Sequence, residues 1–165
     1  MKNKIYGIAI AMIALSANSF AQSTKEASTT ATLVTPISIA KDFDMNFGQL
    51  AASGTAGTVI LDYANAVTKS GGVKLLAATD VKTAQFTVTG DGTLGFSISI
   101  PTSVTLASGA NNLTVDGITC DAGSSSALVA GSKVLKVKAT LQVPANAPAG
   151  TYANTSDLAV TVNYN

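Results

Sequence analysis

The most regular feature of the chain is an alternation of apolar and polar residues, and it is longest in the segment 135–143. Every second residue there is apolar, while lysine, threonine and glutamine stand between them. A period of two places successive side chains on opposite faces of a strand, so the segment predicts a β-strand with one buried face. The last nine residues alternate in the same way and predict that the chain ends in a strand. Its apolar positions are Leu158, Val160, Val162 and Tyr164.

Shorter alternations, separated by glycine, proline, asparagine and aspartate, predict further strands. Their apolar positions are Leu33, Ile37 and Ile39; Phe43, Met45 and Phe47; Val59, Leu61 and Tyr63; Phe86 and Val88; Phe96, Ile98 and Ile100; and Leu113, Val115, Ile118 and Cys120. No helical period follows the first 21 residues. About eight to ten short strands at turn-marked intervals indicate an all-β fold, an antiparallel β-sandwich of immunoglobulin-like type.

Two glycine-containing turns refine this picture. The sequence Gly90-Asp91-Gly92 lies between the strands of Phe86 and Phe96, and predicts that these two strands form a hairpin. Asp116-Gly117 interrupts another strand and predicts a turn or a β-bulge at that point.

The N-terminus has the features of a secretory signal peptide. Lys2 and Lys4 precede an apolar run, and Ser19-Phe20-Ala21 has the form of a cleavage site. We therefore predict a signal peptide over 1–21, a flexible polar segment over 22–32, and a β-sandwich domain over 33–165. The protein is then exported to the periplasm and the cell surface, with no transmembrane segment in the mature chain.

Charge and composition narrow the possible functions. Ten lysines and arginines are balanced by nine acidic residues, and no basic cluster suggests nucleic acid as a partner. Histidine, the usual general base and the commonest metal ligand, is absent from the sequence. We therefore expect no enzymatic activity and no cofactor. Cys120 is the single cysteine, so we predict that it is a buried apolar residue without an internal disulfide partner.

Two apparent motifs do not support chemistry. Ser38 and Lys41 have the spacing of a Ser-x-x-Lys nucleophile, but they lie in a strand-like segment and its companion motifs are missing. Asp42, Asp44 and Asn46 have the spacing that opens a calcium loop, but the required glycine and glutamate do not follow. We predict that these three residues form the exposed face of a strand.

Several short marks, in this order and spacing, resemble a family of small secreted bacterial domains designated DUF4402, a domain of unknown function. The marks are Asn46-Phe47-Gly48, Val88-Thr89-Gly90, Gly150-Thr151-Tyr152 and Val160-Thr161-Val162-Asn163-Tyr164. The resemblance covers essentially the whole mature chain. Members of this family look like pilus subunits of the chaperone–usher kind.

That resemblance implies a structural or adhesive role. In such subunits the sandwich lacks its last strand, and a neighbour completes it by β-strand addition. The implied partners are other copies or related subunits, a periplasmic chaperone and an outer-membrane usher. The groove would be bordered by the C-terminal strand. Its residues would be Leu158, Val160, Val162 and Tyr164.

The sequence leaves two matters open. The donor segment is either the polar stretch with Ala27, Thr29 and Ala31, or the following stretch with Leu33, Ile37 and Ile39. The alternative function is a self-contained secreted or cell-surface binding module of the same fold.

Overall fold

The computed structural model describes residues 23–77, 80–154 and 158–165. The predicted signal peptide, 1–21, lies outside the described residues. The chain divides into two compact units, Met1–Leu33 and Val34–Asn165. The described part of the first unit, 23–33, is exposed and contains no helix or strand.

The second unit is an all-β structure, and its described residues contain no helix. Its strands are β1 (Ser38–Phe43), β2 (Gln49–Ala51), β3 (Gly57–Leu61), β4 (Val67–Gly71), β5 (Lys74–Ala77), β6 (Ala84–Thr89), β7 (Gly95–Ser99), β8 (Ser103–Ser108), β9 (Asn111–Cys120), β10 (Ser125–Ala127), β11 (Ser132–Val143) and β12 (Thr161–Tyr164). All of their pairings are antiparallel.

The long strand β11 organises the largest sheet. One edge of β11 pairs first with β6 and then with β3, and its other edge pairs with β9. Strand β1 lies outside β6, β4 outside β3, and β8 outside β9, which gives seven strands that curl around the core. Two smaller sheets have the orders β10-β7-β12 and β2-β5.

The predicted hairpin between β6 and β7 is wrong. Strand β6 pairs with β1 and β11, so both of its edges are occupied. Strand β7 instead pairs with β10 and β12 in a separate sheet. The intervening loop is tied to a neighbouring turn, because the Gly90 N–H donates to the Gly131 carbonyl and the Gly131 N–H donates to the Gly92 carbonyl.

The core confirms most of the alternation. The inward residues of β11 are all buried, and so are Val59, Leu61, Phe86, Val88, Phe96, Ile98, Leu113, Val115, Ile118 and Cys120. The register between β9 and β11 shifts beside Gly117, whose φ is +59°, so the predicted irregularity is a bulge.

Two strand predictions need correction. Phe43 is 46% exposed, although the pattern grouped it with Phe47, which is buried. The cause is a register shift between Lys41 and Phe43 in the pairing of β1 with β6, which breaks the period of two. The first strand begins at Ser38 rather than near Leu33, because Pro36 has no N–H to donate to a neighbouring strand.

The importance of β11 is testable with neighbouring residues. Leu135 is fully buried beneath the sheet, whereas the adjacent Val134 is exposed. We expect Leu135→Ala to lower the free energy of unfolding by about 2–5 kcal/mol, because it leaves a cavity in the core. The control, Val134→Ala, should change it by no more than about 0.5 kcal/mol. Equal effects in urea denaturation would show that β11 is not the centre of the core.

Candidate functional site

The C-terminal strand lies at the edge of its sheet. Residues Thr161–Tyr164 pair with β7 on one side, and no strand of the described chain pairs with the other side. Val162 is buried against the core. Tyr164, Leu158 and Val160 are half-buried and pack on the core, with the last two lying just before the strand. The four predicted groove residues therefore lie on one continuous segment.

The direction of the backbone groups in β12 follows from one hydrogen bond. The Asn165 N–H donates to the Gly95 carbonyl, at 3.2 Å between N and O. Hydrogen-bonded pairs alternate along an antiparallel ladder, so the N–H groups of Val162 and Tyr164 point away from β7. No backbone acceptor within the described residues meets them. β12 therefore presents an unfilled row of backbone donors and acceptors.

A second sheet edge lies beside this one. Strand β1 is the last strand on its side of the seven-stranded sheet, and it comes close to β12 along part of its length. No backbone hydrogen bond between β1 and β12 is present in the described structure. The two sheets thus end at adjacent edges that are not joined to each other.

The proposed donor residues have different environments. Ile39 lies within β1, opposite Val88 of β6, and Ile37 precedes the strand; both are half-buried against the core. Leu33 is 92% exposed. The structure therefore places two of the three candidates in the domain itself and leaves Leu33 accessible.

A small cleft of mixed polar and apolar lining lies beside the end of β1. Its volume is about 150 Å³, and its apolar lining residues are Phe43, Met45, Ala84, Phe86 and Leu158, with Asn154 among the polar ones. Lys41 and Asp44 also line it and form an ion pair with 2.6 Å between Nζ and Oδ1. Its volume is large enough for one or two aliphatic side chains, and Phe43, Met45, Phe86 and Leu158 give it apolar surface to pack them against.

Sequence reasoning identified only Leu158 among the apolar residues of this cleft. The alternation predicts Phe43, Met45 and Phe86 as core residues, because it reports which face of a strand a side chain occupies but not where that face is left uncovered. The only local signal was the cluster of charged residues around Phe43, since Lys41, Asp42 and Asp44 are unusual neighbours for a core strand.

Tyr164 fastens three parts of the domain together. Its hydroxyl accepts a hydrogen bond from the Asp91 N–H at 2.7 Å and donates one to the Thr35 carbonyl at 2.8 Å. A Cβ atom at Gly90 would collide with this hydroxyl and crowd Leu128, so this position favours glycine. The C-terminal strand, the β6–β7 loop and the start of the domain therefore meet at one side chain.

The polar candidates do not converge on a catalytic or metal site. The Asp42 carboxylate accepts bonds from Gln85 and Thr87, Asp44 pairs with Lys41, and Asn46 accepts a bond from the N–H of Gly48. No cluster of possible metal ligands occurs in the described ranges.

The single cysteine is buried, as predicted. Desolvation raises the pKa of the Cys120 thiol, and the neighbouring Asp121 carboxylate adds to that effect. A raised pKa lowers the fraction of reactive thiolate at neutral pH, which is typical of a structural cysteine.

Comparison with known families agrees with the spacing of the sequence marks. A family model described as "Domain of unknown function (DUF4402)" matches residues 37–164. The chain belongs to the DUF4402 family. This DUF4402 domain matched no curated protein and no solved structure. In its described residues, no helix is long and apolar enough to cross a membrane.

The role of Tyr164 in this DUF4402 domain is testable by removing one atom. Tyr164→Phe leaves the Asp91 N–H and the Thr35 carbonyl without their partner, and should lower the free energy of unfolding by about 1–3 kcal/mol. Tyr152→Phe is the matched control, because it loses only a local bond to the Pro148 carbonyl. It should cost less than about 1 kcal/mol.

A double substitution checks the geometry independently. Gly90→Ala should destabilise the wild type more than it destabilises Tyr164→Phe, because the colliding hydroxyl is then absent. If the effects of Gly90→Ala and Tyr164→Phe on the urea midpoint are additive, position 90 and the Tyr164 hydroxyl are not in contact.

Proposed function

We propose that this protein is a structural or adhesive subunit of a bacterial surface fibre, assembled by β-strand addition. In this proposal the domain is an immunoglobulin-like sandwich that is incomplete beside its C-terminal strand. A segment of another copy or of a related subunit lies along β12 and completes it. The protein is exported, and it acts through binding rather than catalysis.

The pair of adjacent sheet edges is the observation that carries this proposal. Backbone groups at an edge can pair with an added strand, and the main-chain bonds supply affinity that does not depend on side-chain identity. The cleft lined by Phe43 and Leu158 gives such a strand a defined register in this proposal, because an apolar residue of the strand has to be correctly spaced to enter it. Strand addition needs backbone groups that can pair and a feature that sets the register. In this proposal the edge of β12 supplies the first and the cleft supplies the second.

The N-terminal segment is the best donor. Residues 23–33 are exposed and belong to no strand, so donating them breaks no pairing. Fully extended, they span roughly 35 Å, which is enough to cover β12 and the residues before it. Donation of Ile39 would instead require β1 to leave β6. We therefore assign Leu33 as the apolar anchor of the donor segment.

Export and assembly need additional partners in this proposal. An exposed sheet edge is an aggregation hazard before assembly. A periplasmic chaperone would cover it during export, and an outer-membrane usher would exchange the chaperone for the next subunit.

One observation favours the second candidate, a self-contained binding module. Tyr164 ties the C-terminal strand to Thr35 at the start of the domain within a single chain. A domain closed within one chain in this way would fold and function as a monomer. The two functions make opposite predictions about self-association.

Peptide competition tests the proposed function. A peptide with the sequence of residues 23–35 should bind the purified protein and block formation of multimers in sedimentation velocity. The same peptide with Leu33→Asp should bind at least ~10-fold more weakly, because burial of a leucine side chain contributes about 1.5–3 kcal/mol.

A matched pair of variants locates the binding site. Leu158→Asp places a charge in the cleft and should abolish peptide binding, whereas Ala159→Asp, at the adjacent exposed position, should not. A protein that stays monomeric at high concentration and binds neither peptide would instead support the binding module.

A further inference from the structure

Two loops form one end of the domain, which we call the tip. The tip consists of residues 90–94, between β6 and β7, and residues 128–131, before β11. The two loops are joined because the Leu128 N–H donates to the Leu94 carbonyl and the Gly131 N–H donates to the Gly92 carbonyl. Tyr164 also reaches the tip, where its hydroxyl is hydrogen-bonded to the Asp91 N–H and the Thr35 carbonyl.

The tip carries exposed apolar side chains. Val129 is 70% exposed, and Leu94 and Val34 are also exposed large apolar residues. Val34 is the first residue of the domain, and its neighbour Thr35 is fixed to Tyr164. The domain therefore begins at the tip.

The cleft lies away from the tip. Ser38 is opposite Thr89, which is in turn opposite Ser132 beside the tip. Phe43 lies five residues further along β1, a distance of about 17 Å along an extended strand. Strand β12 runs in the opposite direction, and its last residue Tyr164 lies near the tip, opposite Phe96. The gap between β1 and β12 thus has a tip end and a cleft end.

The direction of an added strand decides which end the donor copy occupies. If the strand runs antiparallel to β12, its C-terminal residues reach the cleft end, and the domain of the donor copy follows directly. If the strand runs parallel to β12, the donor domain arrives at the tip of the acceptor. That place is taken, because Thr35 of the acceptor's own chain is bound there to Tyr164. Only the antiparallel direction lets every copy donate and accept.

We propose that Val34, Leu94 and Val129 form a contact surface for a second copy of this chain. This inference rests on the proposed fibre function. The tip of the donor copy lies against the cleft end of the acceptor copy, where Phe43 is 46% exposed. The contact covers apolar surface on both copies and fixes the angle between successive subunits, which the single donor strand alone does not do.

A charge at the tip tests this surface. Val129→Asp should reduce multimer formation in sedimentation velocity at least ~10-fold, while binding of the 23–35 peptide stays within about 2-fold of wild type. Ile60→Asp is the control, because Ile60 is 44% exposed on β3 and outside the tip. If Val129→Asp assembles as well as Ile60→Asp, the tip contact is overturned while the fibre function stands. If the wild type neither assembles nor binds the peptide, both the tip contact and the proposed fibre function are contradicted.

Disulfide trapping places the two surfaces together. A protein with Val129→Cys and Asp44→Cys should form a ladder of intermolecular disulfides on oxidation, because Asp44 lines the cleft. A protein with Val129→Cys and Ile60→Cys should not form it. The native Cys120 is buried and does not compete. A ladder from the second protein and none from the first would contradict the proposed contact.

Discussion

The unfilled backbone row of β12 is the constraint on which this account depends. Every N–H and C=O group removed from water needs a hydrogen-bond partner, and an edge strand leaves half of its groups to be satisfied from outside. Here the edge belongs to the last strand of the chain, and the edge of β1 lies close to it. A cleft lined in part by apolar side chains lies beside the end of β1. The proposed function follows from this combination rather than from any reactive group.

The arrangement of the core produces this pair of edges. Strand β11 is long enough to pair with β6 and β3 in succession on one edge and with β9 on the other. Since β1 takes the remaining edge of β6, strand β7 has to pair elsewhere, and it does so with β10 and β12. The same competition for the edges of β6 therefore separates the two sheets and leaves β1 and β12 as their ends.

Tyr164 holds β12 at the edge of its sheet. Its ring packs against the core, and its hydroxyl joins the last strand to Asp91 and Thr35. The C-terminal strand is thereby held at the edge of its sheet by a side chain, with its outer backbone groups left without internal partners. Tyr164 can therefore stabilise β12 while the outer edge of the strand stays available to pair with another strand.

Sequence reasoning succeeded where structure is set locally. The alternation of β11, the burial of Cys120 and the bulge at Gly117 all follow from residue type and spacing, and the structure confirms them.

It failed where the outcome depends on competition between distant segments. Gly90-Asp91-Gly92 has good hairpin chemistry, but the edges of β6 are already filled by strands far away in sequence. The cleft was missed for the same kind of reason, because Phe43 and Leu158 line it together although they are far apart in sequence.

Amide hydrogen exchange at single residues of β12, measured by NMR with and without the 23–35 peptide, tests the central claim most directly. The account predicts that the amides of Thr161 and Asn163 are protected in the free monomer, because they point toward β7. The amides of Val162 and Tyr164 should exchange rapidly in the monomer and become protected when the peptide binds. Strong protection of Val162 and Tyr164 in the monomer, unchanged by the peptide, would contradict it.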